Sequence, residues 1–179
     1  MNIINRLISL SVITFLFYSA LPLYGEVTPA DKISVYNTSG EIIAARGKPA
    51  AAVIVIEIPG DAYIYANPKG KGIGKATEAV IEKNGFIKSW NVRYPAGEKY
   101  QAQGDPDPVN VYRKKVRIPV LFTLNNDAAG DYSLKINLSI LMCSTDACIP
   151  ADRIIEIPVK VKSGLFNINP AMMNSISEY

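Results

Sequence analysis

Over most of the chain beyond residue 32, apolar and polar positions alternate with a period of two, the spacing of a half-buried strand. The clearest run is Tyr132 to Leu141, where Leu134, Ile136, Leu138 and Ile140 alternate with Lys135, Asn137 and Ser139. Val111 to Leu124 reads as one strand with Val116, Ile118, Val120 and Phe122 on a shared face, and Arg153 to Val161 as another. Ala51 to Ile58 is β-branched, too short for a helix and bounded by Lys48-Pro49 and Pro59-Gly60, which predicts a central strand. Lys32 to Tyr36 and Glu41 to Ala45 flank the turn formers Asn37-Thr38-Ser39-Gly40, predicting a hairpin or an edge pair. In Tyr63-Ile64-Tyr65 the alternation puts both phenols on one face.

Between these runs lie the breakers. Asn67 to Gly74 is rich in glycine and reads as a mobile connection; no helix pattern follows to present amides to a phosphate, so a nucleotide loop is not indicated. Asn84-Gly85 joins Glu78–Glu82 to Phe86–Tyr94, a strong hairpin signal, with Trp90, Val92 and Tyr94 sharing a face. Pro95 to Asn110, with its prolines, glycines and Asp residues, predicts a long surface loop without ladder bonds. Eight or nine short strands with frequent turn signals and no long helix predict an all-β fold, an antiparallel β-sandwich of immunoglobulin-like type.

The first residues change the setting of that sandwich. One basic residue, Arg6, precedes an apolar stretch from Leu7 to Leu21, then Pro22 and Gly25, the layout of a secretory signal over residues 1–25. The apolar run is shorter than the roughly 20 residues of a spanning helix, which favours cleavage over an uncleaved anchor. The expected organisation is a leader, one domain over residues 26–162, and a loosely docked tail over 163–179; removal of Arg6 lowers the formal charge from +3 to +2.

Composition then removes most chemistries. There is no histidine, hence no Ser-His or Cys-His couple and no imidazole-built zinc site. The 19 basic and 16 acidic residues are interspersed, so no footprint for nucleic acid stands out, and no two carboxylates are placed to converge. What remains is the pair of cysteines, Cys143 and Cys148, in a turn between two strands.

In an exported chain a paired thiol is normally oxidised. Cysteines five apart in a turn between antiparallel strands can reach disulfide distance, and they are too local for the inter-sheet bridge of immunoglobulin domains. The six-residue ring they would close is worth only about 2 kcal/mol of loop entropy. Strain in so tight a ring favours exchange. The spacing is not C-x-x-C, no helix follows, and Asp146 is the only charge within the turn. By residues alone, a structural staple and an exchangeable pair both remain open.

The block Cys143-Ser144-Thr145-Asp146-Ala147-Cys148-Ile149-Pro150, with Tyr112-Arg113-Lys114-Lys115-Val116-Arg117-Ile118-Pro119-Val120 and Ser133 to Ile140 before it, resembles the periplasmic N-terminal domain of DsbD-type thiol:disulfide interchange proteins. Tyr63 to Pro68 and Trp90 to Pro95 resemble earlier strands of that family, so the likeness runs from about Val53 to Val161. It implies a sandwich whose cysteine pair cycles between dithiol and disulfide without metal or organic cofactor. Electrons would come from a thioredoxin-like donor domain of a membrane thiol reductase, supplied by a separate protein, and pass to oxidised periplasmic proteins. It further implies Cys148 as the cysteine that forms mixed disulfides, Cys143 as the one that resolves them, Asn110, Val111 and Tyr112 as a cap loop over the pair, and Tyr63 and Tyr65 as aromatic neighbours. One departure is Ala151, where many relatives carry a second proline. The competing expectation is a non-catalytic sandwich that binds another envelope protein and keeps the disulfide as a static staple.

Overall fold

The computed structural model describes residues 32–101 and 106–162. In chain order the strands are β1 (Ser34–Asn37), β2 (Ile42–Ala45), β3 (Pro49–Glu57), β4 (Tyr63–Gly70), β5 (Glu78–Ile81), β6 (Ile87–Val92), β7 (Glu98–Tyr100), β8 (Val109–Arg113), β9 (Lys115–Leu124), β10 (Asp131–Ser139), β11 (Leu141–Cys143), β12 (Cys148–Pro150) and β13 (Arg153–Lys162). They form three sheets, ordered β1-β3-β9-β6, β2-β13-β10-β5 and β12-β11-β4-β8-β7. Every pairing between strands is antiparallel except β2 on β13. The fold is an immunoglobulin-like β-sandwich.

The alternation seen in the sequence becomes the core. Ile54 and Ile56 of β3 with Ile118, Val120 and Phe122 of β9 meet Leu134, Ile136 and Leu138 of β10 with Ile157 and Val159 of β13, in one buried aliphatic cluster. Each such side chain withdrawn from water contributes roughly 1.5–3 kcal/mol. The third sheet divides its two faces. Ile64, Ala66, Tyr112 and Met142 join the main core, whereas Tyr63, Tyr65, Val109, Val111 and Cys143 form a separate buried cluster on the other side.

Several expectations are corrected, each because the chain changes sheet where local sequence reads as continuous or paired. β1 and β2 are edge strands but of different sheets, so the predicted hairpin does not form; β1 pairs with β3 and β2 runs parallel to β13. Asn84-Gly85 likewise passes the chain from one sheet to another. Asn84 Oδ1 accepts the amides of Phe86 (3.1 Å) and Ile87 (3.2 Å), a local turn that replaces the hairpin ladder. The run from Val111 to Leu124 is broken at Lys114, whose φ of 61° moves the chain from the third sheet into the first. Its carbonyl accepts the amide of Ile58 at 2.7 Å, which fixes the crossing.

The Pro95–Asn110 segment does hold a ladder, because β7 within it pairs with β8. Asn67-Pro68 does not end β4: the peptide is cis, the register shifts between Tyr65 and Gly70, and the strand continues. The leader at 1–25 and the tail at 163–179 lie outside the described residues.

Candidate redox site at the edge of the third sheet

A tight hairpin brings the cysteines together. Between β11 and β12 the Ser144 amide donates to the Ala147 carbonyl (2.9 Å), while Ser144 Oγ accepts the amides of Asp146 (3.2 Å) and Ala147 (3.4 Å). Cys143 then lies directly opposite Cys148. The two are joined in a disulfide, with Cα atoms 4.0 Å apart. The close approach follows from ladder parity. The Ala151 amide bonds the Ile140 carbonyl at one end of this hairpin and Ser144 bonds Ala147 at the other, so Cys143 and Cys148 occupy a non-hydrogen-bonded position, where facing Cα atoms come nearest.

Position within the sheet makes the two sulfurs unequal. β11 is flanked by β12 on one side and by β4 on the other, where Cys143 faces Tyr63. Cys143 is 0% exposed. Cys148, on the edge strand, is exposed.

Aromatic side chains close over the buried sulfur. Tyr65 Oη lies 3.7 Å from Cys143 Sγ, and because a disulfide sulfur carries no proton the hydroxyl is the donor. Tyr63 meets Tyr65 edge to face at 5.7 Å between ring centroids and Tyr100 at 4.7 Å. The Arg113 guanidinium lies over both Tyr63 (5.1 Å) and Tyr100 (4.8 Å), and its Nε bonds Glu98 at 2.8 Å. Burial, aided by the neighbouring Tyr65 hydroxyl, pushes the Tyr63 phenol above its ordinary value, so it stays protonated. Across the sheet, Cys148, Cys143, Tyr63 and Arg113 form one row of facing residues.

The glycine-rich segment belongs to this site and is not a loose connection. Gly74 has φ of 120° and presses against the Tyr65 ring so closely that an added Cβ would overlap it. Thr77 closes the same stretch, with its hydroxyl donating to the Tyr65 carbonyl at 2.7 Å.

Of the residues singled out in the sequence, Cys143, Cys148, Tyr63, Tyr65 and Val111 are brought together. Asn110, Val111 and Tyr112 are not a loop: they lie in β8, an interior strand held between β4 and β7. The loop expected there is thus a strand, its backbone pinned by two ladders. Alternation turns Tyr112 to the opposite face, where its hydroxyl donates to the Pro95 carbonyl (2.7 Å) and accepts the Asn67 amide (3.4 Å), and burial raises its pKa. Asn110 Nδ2 donates to the Pro68 carbonyl at 3.0 Å.

Sequence reasoning missed Tyr100, Arg113 and Gly74. The one signal for Arg113 was its place after Val111 and Tyr112 on an alternating run, which puts it on the Val111 side. Among the described residues, no three His, Cys, Asp or Glu side chains converge as a metal site.

The arrangement suits thiol:disulfide exchange: one cysteine is exposed on an edge strand and the other is sheltered, with a hydroxyl beside its sulfur. The profile of the family described as "Thiol:disulfide interchange protein DsbD, N-terminal" matches residues 35–159. No curated protein matches the chain. Among solved structures, the reduced DsbD N-terminal domain of Neisseria meningitidis is similar at 15% identity and a TM-score of 0.39, over 63% of this chain and 79% of that one. AggA, the major subunit of aggregative adherence fimbriae type I from Escherichia coli, is similar at 12% identity and a TM-score of 0.40, over 73% and 94%.

Proposed function

The chain belongs to the family of DsbD N-terminal domains, and from that premise we propose that it is a periplasmic module relaying reducing equivalents from a thioredoxin-like donor to oxidised envelope proteins through Cys143 and Cys148. The observation that carries this reading is the unequal exposure of the two joined cysteines, Cys143 at 0% and Cys148 exposed on the edge strand.

The chemistry balances in two half-reactions. A donor thiolate attacks Cys148 Sγ, forming a donor–Cys148 disulfide and breaking the Cys143–Cys148 bond; Cys143 departs as a thiolate beside the Tyr65 hydroxyl. A second donor thiol then displaces Cys148, which leaves the donor oxidised and this chain a dithiol. In the onward step the Cys148 thiolate attacks a substrate disulfide, one substrate sulfur leaves as thiolate, and Cys143 resolves the mixed disulfide and restores the original bond. Tyr63 and Tyr65 keep water from Cys143, and the Tyr65 O–H stabilises its thiolate.

The test is trapping with measurement of the potential. Cys143→Ala should accumulate a mixed disulfide through Cys148 with a thioredoxin-like donor, Cys148→Ala should accumulate none, and the couple should lie above about −300 mV. A couple well below that value together with no trapped adduct would overturn the proposal and leave a static hairpin staple.

A further inference from the structure

We infer that the stretch from Gly74 to Thr77 is a clamp on Tyr65, and that Gly74 is a positioning residue for exchange because it sets where the Tyr65 hydroxyl stands against Cys143 Sγ. The inference rests on the exchange reading above and adds the part of the chain that places the donor.

Tyr65 is held from outside the ladder between β4 and β11. Its hydroxyl sits at the tip of a side chain that turns about χ1 and χ2, and the contact to sulfur, at 3.7 Å, has little length to spare. β11 pairs with β4 at Tyr63 and Ile64 and stops short of Tyr65. Thr77 takes over at that point: the Tyr65 carbonyl accepts its amide at 3.0 Å and its hydroxyl at 2.7 Å. Thr77 is 0% exposed, so its hydroxyl has left water for this acceptor. Its own carbonyl accepts Asn67 Nδ2 at 3.1 Å, which ties the returning segment back onto β4.

Gly74, three residues before Thr77, bears on the ring. A Cβ there would overlap Cζ, Cε1 and Cε2, the carbon that carries the hydroxyl and the two beside it. At Gly40, Gly60 and Gly130 a positive φ comes with nothing within 4 Å, so there the turn alone calls for glycine. At Gly74, by contrast, both the φ of 120° and the ring exclude a side chain. What an added methyl meets is a side chain and not backbone, so the ring swings while the strand stays in place. The hydroxyl then leaves the sulfur.

The experiment measures opening of the oxidised full chain by dithiothreitol. Gly74→Ala should slow it several-fold, as loss of one hydrogen bond to the departing thiolate does, and Tyr65→Phe added to Gly74→Ala should slow it no further. In a Cys148→Ser background, Gly74→Ala should also raise the pH at which Cys143 titrates, followed by the NMR shift of its Cβ; a loosened fold alone would not move that midpoint. Gly130→Ala carries the cost of a positive φ of 82° in open space and should open at the parent rate. Thr77→Val keeps the shape, removes the hydroxyl bond and stands in where Gly74→Ala does not fold: it too should slow opening, and the effect should vanish in Tyr65→Phe. A folded Gly74→Ala, or Thr77→Val in its place, that opens at the parent rate with Cys143 titrating as before would overturn the clamp. So would a slowing that persists undiminished in Tyr65→Phe. The trapping and potential measurements above decide the exchange reading separately, and the Cys143 titration decides the clamp whichever way they fall.

Discussion

The two faces of the third sheet share a backbone and differ in almost everything else. One face sends Ile64, Ala66 and Met142 into the aliphatic interior of the sandwich, where contact is by packing alone. The other gathers Tyr63, Tyr65, Val109, Val111 and Cys143 in a small cluster tied by ring edges, a hydroxyl–sulfur contact and an overlying guanidinium. The first face is built to hold and the second to react. Neighbouring residues on one strand, Tyr63 and Ile64, thus serve different ends, so a substitution's effect depends on the face it faces.

That contrast is sharpest at the centre of the sandwich. Phe122→Ala, removing a side chain that is 1% exposed, should cost about 3–5 kcal/mol in urea unfolding, yet the folded fraction should exchange thiols at the parent rate. A large loss of rate in the folded protein would mean that the two faces are not separable.

Opening the disulfide is the converse probe. The ring is short, so reduction should lower stability by about 2 kcal/mol or less by equilibrium unfolding in reductant. Complete unfolding on reduction would break the comparison from the other side.

Tyr132 tests the rim of the core. Its ring stacks on Phe86 with centroids 4.5 Å apart, and its hydroxyl is buried without a hydrogen-bond partner among the described residues. Burial pushes its pKa from 10.0 up to about 12. Between those values the folded chain keeps a proton that the unfolded chain has lost, so stability falls as pH rises through that window. Tyr132→Phe should raise stability by about 1–2 kcal/mol at neutral pH and flatten its decline above pH 10. A loss of stability at neutral pH would show that the hydroxyl is satisfied in solution.

The smallest change in stability belongs to the reactive face. Tyr65→Phe keeps the ring and removes the contact to Cys143 Sγ, so thermal unfolding should move by about 0.5 kcal/mol or less. Opening of the disulfide by a thiol should slow several-fold, because the departing Cys143 thiolate loses its donor. An unchanged rate would reduce Tyr65 to packing.

The period-two pattern made the strands that fill the core legible, since burial on one face is a local property of β3, β9, β10 and β13. Partnership between strands was not legible at the crossings. Lys114 adopts a positive φ with no glycine to announce it, and Asn84-Gly85 carries a hairpin signature but closes a different turn. Both outcomes depend on which sheet has room for the next strand.

At the site, the cysteine pair could be read from its place in a turn between strands, whereas Tyr63 and Tyr65 were implied as its neighbours only by the family resemblance. The shelter of Cys143 could not, because alternation places both sulfurs on one face and only sheet order separates inner from edge. Tyr100 was hidden in a segment whose prolines and glycines masked a three-residue strand.

The parallel pairing of β2 with β13 has a mechanical consequence. Ile42 to Ala45 lies alongside Val159 to Lys162, one strand near the beginning of the described chain and the other at its end, both running the same way. Tension drawing β2 back toward the N-terminus and β13 forward toward the C-terminus slides the strands past each other, loading their hydrogen bonds together in shear instead of one at a time. Such a pair resists that tension far better than one whose strands peel apart bond by bond.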